Sequence, residues 1–230
     1  MPDELNQTTQ ELAKISEYVE QNFMQINKKK TKAILFNPKR RTLDFQPEVK
    51  VGSETLEVVS QIKLVGLELT DDLTWHRNTL SLVRRAYAKI WMLRRLKVMG
   101  SSRIAMLLIY YRHIRSILEF GVPAWNSALT EKEAAKIERV QRVAVKLIFG
   151  FGRSYRKILK NNNLERLVDR RERLCLNFAR KAIKHKKFKG WFKQSGPGRA
   201  EYCETVTRKK QLWKSPIPYF TRLLNANNAK

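Results

Sequence analysis

Residues 130–150 read TEKEAAKIERVQRVAVKLIFG, and this stretch decides the character of the chain. Thr130 followed three residues later by Glu133 is a capping-box start, in which each side chain satisfies a backbone N–H that the first helical turn leaves unpaired. Ile137, Val140, Ala144, Leu147 and Ile148 then recur at three- and four-residue spacings, the period of one helix face, and Gly150 supplies the stop. On the other side Lys132, Lys136, Arg139, Arg142 and Lys146 keep the same period. One helix is predicted, burying an apolar stripe and holding a row of cations out to solvent.

The pattern continues outward in both directions. In 103–119, Ile104, Leu107, Leu108, Tyr111, Ile114 and Leu118 fall on one stripe, predicting a core helix that Gly121 and Pro123 end. In 77–97 the apolar positions are Leu80, Val83, Tyr87 and Ile90, with Arg84, Arg85, Lys89, Arg94 and Arg95 among them, and Gly100-Ser101-Ser102 closes the run. Downstream, 164–184 predicts a long helix with Arg166, Arg170, Arg173, Arg180 and Lys184 along one face, partly offset by Glu165, Asp169 and Glu172. After Ser195-Gly-Pro-Gly198 the tail is basic with scattered aromatics.

Before Trp75 the character changes. Residues 5–24 predict an amphipathic helix with Leu12, Ile15, Val19, Phe23 and Ile26 on its apolar side and Thr8 with Glu11 as its cap. Short β-rich runs follow at 33–36, 49–51, 56–59 and 63–69, separated by turn residues such as Gly52-Ser53, which predicts a small antiparallel sheet. The fold class expected is α+β, predominantly α, with segments 1–72, 73–152 and 153–230.

The 230 residues carry 47 Lys and Arg against 21 Asp and Glu, a formal net charge of +26, with 43% hydrophobic residues. A chain this apolar buries a core, which excludes a disordered basic tail, and a surface this cationic expects a polyanion. The charge reads as spread along most of the chain, which favours nucleic acid over the single basic amphipathic helix of a membrane-surface protein. Nowhere does an apolar run approach the roughly 20 residues of a membrane span, and no cleavable leader opens the chain. The expected location is therefore intracellular, in nucleus or cytoplasm, with RNA, RNA–DNA hybrid or DNA as partner, no membrane, and no particular protein. Cys175 and Cys203 lie in polar, basic stretches without CxxC spacing, which speaks against a disulfide scaffold or structural zinc.

Catalytic chemistry finds little footing. The one adjacent carboxylate pair, Asp71-Asp72, follows a strand into a turn and reads as helix capping more than as metal binding. His76, His113 and His185 are far apart, no serine sits in a G-x-S-x-G elbow, and Gly150-Phe-Gly152 lacks the Lys-Ser/Thr of a phosphate loop. A deaminase or nuclease would need metal ligands that are not in evidence. The stretch 185–193 interleaves cations with Phe188, Trp191 and Phe192, which suits either stacking of unpaired bases or docking onto the helical body.

The order of segments resembles the carboxy-terminal part of reverse transcriptases from non-LTR (LINE-type, jockey-like) retrotransposons. Asn27-Lys-Lys-Lys-Thr31 with Ala33-Ile-Leu-Phe36 is similar to polymerase motif D. Residues 62–69 are similar to motif E, the primer grip, with Leu64-Val65-Gly66 where the family usually has Tyr-Leu-Gly. Asp72-Leu-Thr-Trp75 resembles the entry to the thumb, and Arg115-Ser-Ile-Leu-Glu-Phe-Gly-Val-Pro-Ala-Trp125, the 137–150 stretch, 167–178 and Ser215-Pro-Ile-Pro-Tyr219 extend the likeness over nearly the whole chain. The resemblance implies that Lys30 is the motif D lysine near the incoming nucleotide's phosphates. It implies that Lys63, Leu64 and Gly66 belong to a primer grip, that the helices of 77–150 form a thumb tracking template–primer backbone, and that the final helix and tail capture the element's RNA. The family's Ala-Asp-Asp turn lies upstream of the helix with which this sequence opens. The expectation is thus a truncated piece of an RNA-directed DNA polymerase, not an enzyme by itself and without a cofactor, although the parent polymerase would use Mg²⁺. The alternative is a free-standing basic RNA- or DNA-binding module.

Overall fold

A computed structural model describes residues 2–27, 29–37, 48–52, 54–196, 200–204 and 210–228. Ser53 of the expected turn, Lys28 of the lysine run, and Pro197 and Gly198 of the expected breaker lie outside them. The chain divides into two units, Met1–Arg77 and Asn78–Lys230. Helix predominates, with two small antiparallel sheets, which is the α+β class expected.

The first unit opens with α1 (Pro2–Gln21), which starts upstream of Thr8 and Glu11 and so places that expected cap inside the helix. Its end departs from the usual glycine stop: Phe23 takes the left-handed conformation (φ 56°), and the Met24 N–H reaches back to the Val19 carbonyl at 2.9 Å. Phe23 is consequently fully exposed and Ile15 half so, which corrects the expected stripe. The core here is small: Leu12, Ile26 and Ala33 pack on Val49, Val51 and Leu56.

Two hairpins complete the unit. β1 (Lys50–Val51) pairs with β2 (Glu54–Thr55), and β3 (Gln61–Leu64) pairs with β4 (Leu67–Thr70) in the register Leu64↔Leu67. The apparent single run at 63–69 is therefore two strands, divided at Val65-Gly66, both with positive φ (47° and 83°). A two-residue loop of that handedness matches the twist of the strands it joins, and the glycine adopts it without steric cost. Of the run at 33–36 only Ala33 pairs, as an isolated parallel bridge to Val58.

The second unit is a helical array. α2 (His76–Val98), whose first two residues belong to the first unit, ends at Gly100 (φ 70°), where the Ser101 N–H closes on the Leu96 carbonyl at 3.0 Å. Its buried line is Leu82, Val83, Ala86, Ile90 and Leu93, so Tyr87, expected inside, is outside. A second rod follows: α3 (Arg103–Ile109), a π-helical turn over Tyr110–Arg115, and α4 (Ser116–Glu119). Met106, Tyr110, Ile114 and Leu118 are its buried residues. Steps of four drift about 40° each in a regular α-helix, and the wider π turn reduces that drift. The expected stripe through Ile104 and Leu108 is correspondingly turned out to solvent.

After the short α5 (Val122–Trp125), which fully buries Trp125, comes α6 (Glu131–Phe149). Both halves of its capping box form: the Glu133 N–H donates to Thr130 Oγ1 (3.3 Å) and the Thr130 N–H to Glu133 Oε2 (2.9 Å). The carbonyl end is held by Lys97, whose Nζ donates to the Leu147 carbonyl at 2.9 Å, a cation placed on the negative end of the helix dipole. α7 (Tyr155–Asn161) was not foreseen, and the helix expected from Leu164 begins as α8 (Leu167–Lys184). α9 (Lys210–Trp213) and α10 (Pro216–Asn228) follow, and α10 packs on α8 with Phe220 against Phe178 at 5.5 Å between ring centroids. Pro216 and Pro218 both fall in the first turn, which has no use for their missing N–H.

A chain of hydrogen bonds joins these helices. Glu138 of α6 accepts the Tyr155 hydroxyl on Oε1 (2.5 Å) and the Leu167 N–H on Oε2 (3.0 Å), so one carboxylate serves both α7 and the N-terminus of α8. Gln141 accepts the hydroxyl of Tyr110 and donates to Tyr155 (2.8 Å) and to the Glu165 carbonyl (2.9 Å).

Candidate nucleic-acid interface

The division of the chain separates its charge. Met1–Arg77 holds 11 Lys and Arg against 12 Asp and Glu, a net of −1, while Asn78–Lys230 holds 36 against 9, a net of +27. The charge that reads as spread along the sequence thus belongs entirely to the helical unit, and the even spread is corrected.

On α6, at roughly 100° per residue, Lys132, Lys136, Arg139, Arg142 and Lys146 fall within an arc of about 120°, and the buried residues occupy the other side. No acidic residue falls in that arc. Lys132, Lys136, Arg139 and Arg142 are exposed and Lys146 is half-buried. The Arg142 guanidinium lies over the Tyr155 ring at 5.2 Å from its centroid, which fixes its direction.

On α8 the row is broken. Arg170 is clamped on Glu119, with Nε–Oε1 at 2.5 Å and Nη2–Oε2 at 2.9 Å, and also meets Glu165 at 3.3 Å; the hydrogen bond to Glu119 raises its pKa above the ordinary value. That arginine ties α4 to α8 and is not available to a phosphate. Arg173 shares Glu165 at 2.6 Å. Arg166, Arg180 and Lys184 are exposed, the last two beside Tyr202 on the wall of an open cleft of about 230 Å³ that Ile183, Leu224 and Asn228 complete. On α2, Arg84, Arg85 and Lys89 are exposed but not on one face: Arg84 points away from the core, and the other two flank the buried stripe.

In the first unit, Lys30 sits in an exposed turn whose N–H donates to Asn27 Oδ1 at 3.1 Å. Lys63 is exposed and faces Glu68 across the β3–β4 ladder, Leu64 is 55% exposed, and Gly66 is the second turn residue. Asp72 Oδ1 accepts from Thr70 Oγ1 (2.7 Å), Thr74 N–H (3.0 Å) and Thr74 Oγ1 (2.8 Å). These bonds stabilise the turn that leads into α2. Among the described residues no three His, Cys, Asp or Glu side chains gather as metal ligands, and no helix is long and apolar enough to cross a membrane.

The aromatic segment after α8 divides between its two readings. Phe192 is buried against Tyr202, the Phe188 ring lies between His185 (4.8 Å) and Trp191 (4.6 Å), and Trp191 stays 41% exposed. Three residues that sequence reasoning missed complete the description. Cys175, read as part of a polar stretch, is fully buried, and burial pushes its thiol up to about 12. Arg171, next to Arg170, is buried with its Nε on Asn126 Oδ1 (2.9 Å); burial lowers its pKa. Trp91 stands exposed on α2. A cation at 171, on the apolar side of α8 and out of step with the basic row, was the available signal for Arg171.

No protein-family model, curated protein or solved structure matches the chain.

Proposed function

We propose that the chain binds nucleic acid through its helical unit, gripping the phosphate backbone of RNA or an RNA–DNA hybrid in the manner of a reverse-transcriptase thumb and carboxy-terminal extension. The observation that carries this reading is the segregation of charge: +27 on a unit with its own core, against −1 on the other unit of the chain. A solvated surface kept soluble by charge needs no such one-sidedness, whereas a polyanion repays it by releasing counterions. The acid-free arc of α6 is the best-defined contact, with Arg166, Arg180 and Lys184 of α8 as a second. The resemblance to LINE-type reverse transcriptases supplies the polymerase context, and in that context Lys30 and the Lys63–Gly66 hairpin serve nucleotide and primer. Chemistry at the metal ions belongs to carboxylates of the parent enzyme's palm, so the part proposed for these residues is holding template and primer.

A second reading, a free-standing RNA-binding module, is favoured by the compactness of the basic unit. Preference for a hybrid over single-stranded RNA supports the thumb, and equal affinity supports the module. Replacing Lys132, Lys136 and Arg139 together by Gln tests the contact itself. Affinity is expected to fall on every sequence alike, and the slope of log K against log salt to flatten by about 0.7 to 0.9 per lost phosphate contact. An unchanged slope removes α6 from the interface.

A further inference from the structure

The outward face of α2 presents two aromatic rings that the fold does not use. Trp91 is 61% and Tyr87 37% exposed. At roughly 100° per residue they stand about 40° apart, and Trp91 lies nearly opposite the buried Leu82, Ala86 and Leu93. Among the described residues neither ring stacks on another aromatic or carries a cation over it, and neither the indole N–H nor the phenol makes a hydrogen bond. Large amphipathic rings held away from a core mark a surface that something covers.

The surrounding charge says what. Arg84 and Arg95 lie within about 40° of Trp91 around the helix and Arg94 within about 60° on the other side, all exposed. The 23 residues of α2 include no Asp or Glu, so nothing on the helix neutralises them. Tyr87 and Trp91 are separated by about 6 Å along the axis. That is well beyond the 3.4 Å rise of a strand within a duplex, and it suits an extended strand whose bases are apart. A duplex keeps its base faces stacked on one another and offers these rings nothing; an unpaired base offers a face.

We propose that this face of α2 is a stacking platform for single-stranded nucleic acid: one base lies on the Trp91 indole, a neighbour reaches Tyr87, and Arg84, Arg94 and Arg95 meet the flanking phosphates. The proposal rests on the nucleic-acid reading above and adds to it the class of ligand and a third, separate place of contact. The rings of 185–192 suit the role less well, since Phe188 is already enclosed by its neighbours and Phe192 is buried.

The test uses the full chain with two labelled probes of equal length, a single-stranded oligouridine and a blunt RNA–DNA hybrid. Trp91→Leu is expected to weaken single-strand binding by about 5- to 150-fold, the range found for loss of one stacked ring. It leaves the salt slope and the hybrid affinity unchanged, because no phosphate contact is lost. Trp91→Phe retains most of the affinity, and the wild type loses more indole fluorescence on binding than Trp91→Phe does, a readout that a change in folding alone would not reproduce. Wild-type single-strand affinity in Trp91→Leu overturns the platform while leaving the α6 interface standing. Equal loss on strand and hybrid overturns the single-strand assignment. A change in oligomeric state with unchanged strand affinity identifies the face as a protein contact, and absence of binding to either probe by the wild type defeats both readings.

Discussion

Arg170 and Arg171 are neighbours of one type with opposite environments. The first is a half-buried strut on Glu119, the second a fully buried cation whose Nη1 finds no hydrogen-bond partner among the described residues. The burial of Arg171 is hinted at only by its place on the apolar side of α8, and the clamp on Arg170 is not visible in sequence at all, because it depends on what packs on the helix. Buried tyrosines make the residue scale testable. Burial is the largest cause raising the pKa of Tyr110, Tyr155 and Tyr219 above the ordinary value of 10.0. A group whose folded pKa is raised stabilises the fold below its unfolded pKa and ceases to do so as pH rises through the folded value. Above about pH 10 the unfolded chain releases these protons while the folded chain keeps them, so stability falls. The expected slope approaches about 1.4 kcal/mol per pH unit for the buried Tyr110 and is smaller for Tyr155 and Tyr219, which solvent partly screens. Urea denaturation between pH 9 and about 11 measures it, compared with a Tyr110→Phe variant, which is expected to lose part of that slope. A flat profile contradicts the burial of these hydroxyls.

Elements were legible where the local signal and the packing agree. The capping box at Thr130 and the glycine stops at Gly100 and Gly150 are local chemistry, and each stands where it was read. Thr130→Ala is expected to cost about 1 kcal/mol in chemical denaturation, since the hydroxyl that accepts the Glu133 N–H is lost while the residue-130 N–H keeps its bond to the Glu133 carboxylate. A cost near zero would mean that tertiary packing alone holds the first turn of α6. What failed was the choice of face. α2 carries two apolar lines, Leu82 to Leu93 inside and Tyr87 with Trp91 outside, and periodicity does not say which meets the core. In the rod through Tyr110 the π turn shifts the buried line by a fraction of a turn, a distortion set by packing that no spacing rule anticipates. α10 lies in a tail that reads only as basic with scattered aromatics, and its two prolines fit a helix because both fall in its first turn.

At the scale of the whole molecule the total charge was plain in the composition, but its distribution was not. In the first 77 residues runs of acids and bases offset one another to reach −1, and only the division of the fold shows that the remaining +27 is carried by one unit. So much like charge on a compact helical body is self-repulsive, and a bound polyanion both relieves that repulsion and stabilises the fold by mass action. The row of exposed cations on α6 was legible because the period of an amphipathic helix needs no tertiary information. The loss of Arg170 to Glu119, some fifty residues away in sequence, does need it.

The most direct test is a titration of the full chain against an RNA–DNA hybrid, single-stranded RNA and duplex DNA over a salt series. The account predicts binding of hybrid or RNA in preference to duplex DNA, with log K falling linearly in log salt at a slope of about −4 or steeper, the signature of five or more neutralised phosphates. Absence of binding at physiological salt, or a slope near zero, would contradict it.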